Sequence, residues 1–370
     1  VDVLVRTEDA RMVQARPRVT YRADLVTAVL GVWFVVGLFL DAWAHNNLSE
    51  LETFFTPWHG VFYSGFVATS AWIGWCVLQS LLAGRRGLAA VPHGYGLGLF
   101  GIPLFALAGV GDMIWHTTLG IETSLDILFS PTHILLAGSM VLIVTCPLRS
   151  AWSDPSTGVA PSLRRLLPAV LSLAFATTLV LLFVQYANAL VWGPGGVVNA
   201  LSDEFDGGRG FDGPDPVRLV SSVIVTNVVL MVPLLLLARR WRAPAGTATI
   251  LFVAAGALAG AVTGFQWPQM LLVPVLSGVI VDLLASWLRP GPTGRRPALL
   301  AFAGLASLAT WALYLGVASI AVGRLPAVPE YWTGLPVVAA VHGVLLGLLA
   351  APYPSPAQPG SPEVVEPQLL

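Results

Sequence analysis

Residues 22–59 read RADLVTAVLGVWFVVGLFLDAWAHNNLSELETFFTPWH. An uncharged run from Leu25 to Leu40 leads to Asp41, with His45 one helical turn later; after a short polar stretch Pro57 opens the next apolar run, and His59 follows it by two. Residues 111–133, GDMIWHTTLGIETSLDILFSPTH, repeat the arrangement about 70 positions on with Asp112, His116, Pro131 and His133. Four of the six histidines are spent here. Residues four apart share a helix face, so each Asp and its His can converge on one ion, and the His after the Pro can reach it from the returning helix. Pro is suited to that start because the first helical turn needs no amide hydrogen from it.

The composition places these hairpins in a bilayer. The chain is 56% hydrophobic and 11% charged with a mean hydropathy of +0.77, whereas soluble domains carry about 25% charged residues. Runs long enough to cross are expected at 22–43, 57–82, 95–116, 131–148, 166–191, 217–238, 247–265, 268–288, 298–322 and 336–351. The expected fold is therefore an all-α polytopic membrane protein of about ten transmembrane helices. Arginines recur in every second connection: Arg85 and Arg86, then Arg149, Arg164 and Arg165, then Arg239, Arg240 and Arg242, then Arg289, Arg295 and Arg296. By the positive-inside rule both termini are cytoplasmic, and the two ligand sets lie at the outer, extracytoplasmic rim of a cell-membrane protein. The intervening connections hold Glu50, Glu52, Glu122, Asp126 and the acidic stretch from Asp203 to Pro216.

Four regions follow: a cytoplasmic Arg-rich arm without a signal-peptide core at 1–21, a metal-binding four-helix region of two hairpin repeats at 22–150, a further six-helix region at 151–351, and a disordered Pro-rich tail at 352–370. Cys76 and Cys146 are expected as buried, unbridged thiols. A net charge of −1 gives no case for nucleic acid. All 19 basic residues are Arg, which reads as codon bias and carries no function.

Each ligand has a bland alternative. Asp and His at a rim can snorkel to water, but an Asp near the C-terminus of a span sits at the unfavourable end of the helix dipole, and a bound cation removes that penalty. The Glu and Asp of the outer loops could orient imidazoles or simply be solvated. Trp43, Trp58 and Trp115 are interfacial anchors first. FQWPQM places Met270 two residues after Pro268, a faded third copy or a packing Met. His93 and His342 lack acidic neighbours. Asp282 is either a functional intramembrane carboxylate or the partner of Arg289, and Gln185 and Asn188 suit interhelical hydrogen bonds. No phosphate loop, CxxC or catalytic triad is present. Two His and one carboxylate suit copper, zinc or non-haem iron.

At these residues the chain resembles the C subunit of the particulate methane and ammonia monooxygenases, the copper membrane monooxygenases. The first segment, with Asp41, His45 and TPWH ending in His59, looks like that family's Asp, His and further His. The second, VGDMIWH followed by SPTH, is similar to its second set, with Asp112 standing where the family has Asn and a longer gap from His116 to His133. The resemblance covers roughly residues 30–150; some 200 further residues add helices that the family's C subunit lacks. It implies copper at both sets, activation of dioxygen, oxidation of a small apolar substrate, and partners like the family's A and B subunits. The carboxylate of Asp112 in place of an amide favours a harder ion there, so zinc or iron stays open. The alternative expectation is a protein that binds or transports a transition metal through the same sites, and a third is a structural subunit whose metal holds the hairpins together.

Overall fold

The computed structural model describes residues 16–48, 54–120, 128–202 and 216–351. Among them the chain is all helical: α1 (Tyr21–Asn47), α2 (Pro57–Leu82), α3 (Gly96–Leu119), α4 (Pro131–Val144), α5 (Cys146–Ser153), α6 (Leu163–Phe183), α7 (Pro194–Ala200), α8 (Pro216–Arg240), α9 (Thr247–Val262), α10 (Leu272–Leu288), α11 (Arg296–Val322) and α12 (Pro329–Ala350). Eight segments, α1, α2, α3, α6, α8, α10 with the turn before it, α11 and α12, are long and apolar enough to cross a bilayer. This is a multi-pass membrane protein.

The other two expected spans take different forms. The stretch 131–148 is a pair of helices, α4 and α5, bent by 41°. Pro147 cannot donate a helical amide and crowds the preceding turn, and the Arg149 guanidinium fills the break by donating to the carbonyls of Leu142 (2.6 Å) and Gly94 (3.0 Å). The stretch 247–265 gives only the 16-residue α9. Span 166–191 is shorter than expected: α6 stops at Phe183, and residues 185–191 run as two 3-10 turns. Span 336–351 is longer, because α12 starts at Pro329 and carries Pro336 inside it. Asp41 and Asp112 also sit deeper than a last turn, since α1 continues to Asn47 and α3 to Leu119. The boundary drawn at 150 falls within α5. The N-terminal residues before 16, the loop acids Glu50, Glu52, Glu122 and Asp126, the stretch 203–215 and the tail from 352 lie outside the described residues.

Helices in lipid approach closely where side chains are small, and α1 and α2 do so through two glycines. A Cβ on Gly37 would lie 2.9 Å from the Cα of Phe62, and one on Gly65 would lie 2.7 Å from the Cα of Phe34. That antiparallel register, continued one turn outward, sets Asp41 opposite His59. In the second hairpin Gly101 lets α3 meet the carbonyl of Ser139 on α4. Between the hairpins, Phe105 of α3 packs on Phe66 at 4.3 Å and Phe34 at 5.1 Å between ring centroids.

The polar groups of the second region hold helices together. Asp282 on α10 caps α9, accepting from the amides of Ala248 and Thr249 (3.0 Å each) and from the Thr249 hydroxyl (2.6 Å). It serves α9 and takes no part in a ligand set. Met270 is buried in a core with Trp311 and Tyr314, a packing residue without Asp or His companions. Cys76 is half-buried and Cys146 buried, both as free thiols. Loss of the α9 cap in Asp282→Ala should cost about 2 kcal/mol in denaturant unfolding of detergent-solubilised protein, with Asp282→Asn losing less because its amide oxygen still accepts.

Candidate metal centre

The returning helices place their histidines by capping. Thr56 is the N-cap of α2 and its hydroxyl accepts the His59 amide at 3.1 Å; Ser130 is the N-cap of α4 and accepts the His133 amide at 3.2 Å. In T-P-W-H and S-P-T-H the four residues therefore occupy N-cap, N1, N2 and N3, the pattern in which an N-cap oxygen binds the N3 amide. Each His leans back over the start of its helix toward the Asp of the outgoing one.

Both sequence-derived sets assemble. Within Asp41, His45 and His59, and within Asp112, His116 and His133, one donor atom per residue lies within 4.8 Å of the others. Asp41 Oδ2 stands 3.3 Å from His59 Nε2 and 3.7 Å from His45 Nδ1. Asp112 bridges its two imidazoles, with Oδ1 3.2 Å from His133 Nε2 and Oδ2 3.5 Å from His116 Nε2. Thr132 donates to Asp112 Oδ1 at 3.2 Å. The two sets also meet each other: the His116 ring lies 6.4 Å from that of His45 and 6.3 Å from that of His59, centroid to centroid. All six residues are buried or nearly so.

The donor chemistry fits a cation. His59 Nδ1 is 2.6 Å from the Phe54 carbonyl, and since a carbonyl only accepts, the ring proton belongs on Nδ1. Nε2 then turns a lone pair on a carboxylate oxygen 3.3 Å away, two acceptors face to face, which only a proton or a metal ion between them makes favourable. His45 Nδ1 likewise meets the Asp41 carbonyl at 2.9 Å, the outer-shell bond typical of a metal-binding imidazole. A tetrahedral ion with bonds of about 2.0–2.1 Å spaces its donors by about 3.3 Å. The three Asp–His separations that involve Nε2, 3.2, 3.3 and 3.5 Å, bracket that value.

Beside the donors lies a cavity of about 660 Å³, measured to its open mouth. Asp41, His45, His59, Asp112 and His133 line one side; Leu38, Phe62, Leu136, Met140, Leu182 and Phe183 make most of the rest. The last two belong to α6, outside the hairpins. Sequence reasoning named the six clustered Asp and His residues but missed Thr132, the Phe54 carbonyl and this wall. Thr132 was signalled by its place between the Pro and His of SPTH; nothing local signalled α6. Trp43 and Trp58 pack edge to face at 5.7 Å. His93 lies in the α2–α3 connection, where its amide binds the Pro17 carbonyl, and His342 binds the Val338 carbonyl on an exposed face; neither joins the cluster.

No family model, curated protein or solved structure matches this chain.

A divalent ion that binds only the folded state should raise stability by about 2.7 kcal/mol at a hundred times its Kd. Zinc added to metal-stripped protein should accordingly raise the thermal midpoint, the gain should fall on acidification as the imidazoles protonate, and Asp41→Ala/Asp112→Ala should abolish it. Thr132→Val should weaken binding at the second set about tenfold in a competition titration, leaving the first set unchanged.

Proposed function

We propose that this chain is a membrane-embedded copper protein, resembling the C subunit of a copper membrane monooxygenase, that uses dioxygen to oxidise a small apolar substrate. The observation that carries this reading is the meeting of two sets of two imidazoles and one carboxylate, with a ring-to-ring gap of 6.3 Å, at the edge of an apolar cavity. Asp41, His45 and His59 would hold one ion and Asp112, His116 and His133 the other. Nitrogen and oxygen sites of this kind favour Cu²⁺ most among divalent first-row ions, and the resemblance of the two segments points the same way. Copper, when bound, supplies one-electron chemistry with dioxygen.

The chain's own contribution is positioning and exclusion. The Phe54 carbonyl keeps His59 in the tautomer whose Nε2 faces Asp41. Thr132 steadies Asp112 between two rings. Leu38, Phe62, Leu136 and Met140 give a water-poor space in which an apolar molecule can lie against the donors. The arginine pattern supports an extracytoplasmic position for the centre, and partners like the A and B subunits of that family would complete the assembly.

Metal transport through the same ligands is the competing function. It requires polar groups along mid-membrane, and Gln185, Asn188, Thr226 and Asn227, which the sequence offers there, are engaged with neighbouring groups. Thr226 accepts the Ala189 amide at 2.8 Å, Asn188 accepts that of Leu190 at 3.0 Å and donates to Gln185, and Asn227 accepts from Trp311 at 3.0 Å. Elemental analysis by mass spectrometry should give up to two copper ions per chain, with one lost in His45→Ala/His59→Ala and the other in His116→Ala/His133→Ala. Undiminished oxidation by metal-free membranes, or copper flux into liposomes that His45→Ala abolishes, would defeat the oxidase reading.

A further inference from the structure

Tyr63 stands one helical turn past His59 on α2. Aromatic side chains in a helix lean toward its N-terminus, so this ring tilts toward the metal centre. It is held there by Phe62, Phe105 and His59, at 5.1, 6.0 and 6.1 Å between ring centroids. Its hydroxyl lies over Gly109 of α3, where an added Cβ would come within 3.1 Å of the oxygen. Gly109 precedes Asp112 by three residues and shares its helix face, and the Asp112 side chain leans back along α3 toward it. The phenol is thereby set between α2 and α3, immediately inward of the cluster.

Among the buried polar atoms there without a hydrogen bond in the described residues are the Tyr63 hydroxyl and Asp41 Oδ1. One is a donor and the other an acceptor. Leaving a buried polar group unsatisfied costs about 1–3 kcal/mol, so a donor and an acceptor left together in one cluster call for a shared partner. The ring's contact with His59 and the hydroxyl's seat on Gly109, one turn from Asp112, set the phenol beside both sets. A phenylalanine at this position would fill the same aromatic contacts, so packing does not account for the oxygen.

We infer that Tyr63 is a positioning residue of the metal centre, its phenol donating a hydrogen bond to a small ligand, water, hydroxide or an inorganic anion, held between the two triads. This rests on the metal reading above and adds to it a selection rule: the centre favours ligands that can accept a hydrogen bond from the α2–α3 side. Apolar molecules are left to the cavity, which Tyr63 does not line.

The test is azide binding to the full-length protein loaded with Cu²⁺, followed by electron paramagnetic resonance and by the azide-to-copper absorption band, in wild type and Tyr63→Phe. A hydrogen bond to a charged acceptor contributes about 1.5 kcal/mol or more, so azide should bind about tenfold more weakly to the variant. Copper content and the imidazole splittings should stay unchanged. Equal azide affinities would overturn the role of Tyr63, as would loss of copper from the variant, which would make the residue a structural support. Wild-type protein that takes up no copper would defeat the metal reading itself, an outcome distinct from both.

Discussion

A carboxylate oxygen and an imidazole lone pair, 3.3 Å apart on the buried side chains of Asp41 and His59, form the contact on which the rest of the ligand end depends. Withdrawing a carboxylate from water costs several kcal/mol even after relaxation. An aromatic pair such as Phe66 and Phe105 returns about 0.5–1.5 kcal/mol, so the ring cluster beneath cannot by itself hold two such carboxylates in place. A proton shared between the facing groups or a cation can, because either is attracted to both of them. The glycine approach of α1 to α2, the caps at Thr56 and Ser130 and the Phe54 carbonyl all act on the same quantity, the distance and orientation between one oxygen and one nitrogen.

Lipid provides no hydrophobic drive for helices to associate, which leaves close packing and buried hydrogen bonds to do so. The chain divides these between its parts. At the ligand end, glycines give close approach and the polar residues are gathered into the two sets. In the second region the polar residues serve backbone: Asp282 caps α9, and Thr226 and Tyr314 bind the amide and the carbonyl of Ala189 where α6 has given way to 3-10 turns. Similar residue types thus do opposite jobs, and sequence position alone does not say which.

That difference explains what could be read in advance. The span 57–82 coincides with α2 because its start is written locally, as Thr56 and Pro57. The ligands were legible because a four-residue spacing fixes a helix face without knowledge of the fold. The end of α6 was not, since Gln185 to Val191 contain no Pro or Gly to mark a stop and their turns are stabilised by α8 and α11, far along the chain. Pro336 was taken as a start because proline favours helix starts, yet α12 tolerates it about two turns inside. The nearness of His116 to His59 required two hairpins to dock, and no local pattern encodes a docking.

Leu182 and Phe183 close the cavity, and they are the last residues of α6 before its helix dissolves into turns bound by α8 and α11. One wall of the cavity is therefore the end of a helix whose following turns are held by helices that contribute none of the six clustered residues, so the shape of the ligand end is set in part by the distant half of the chain.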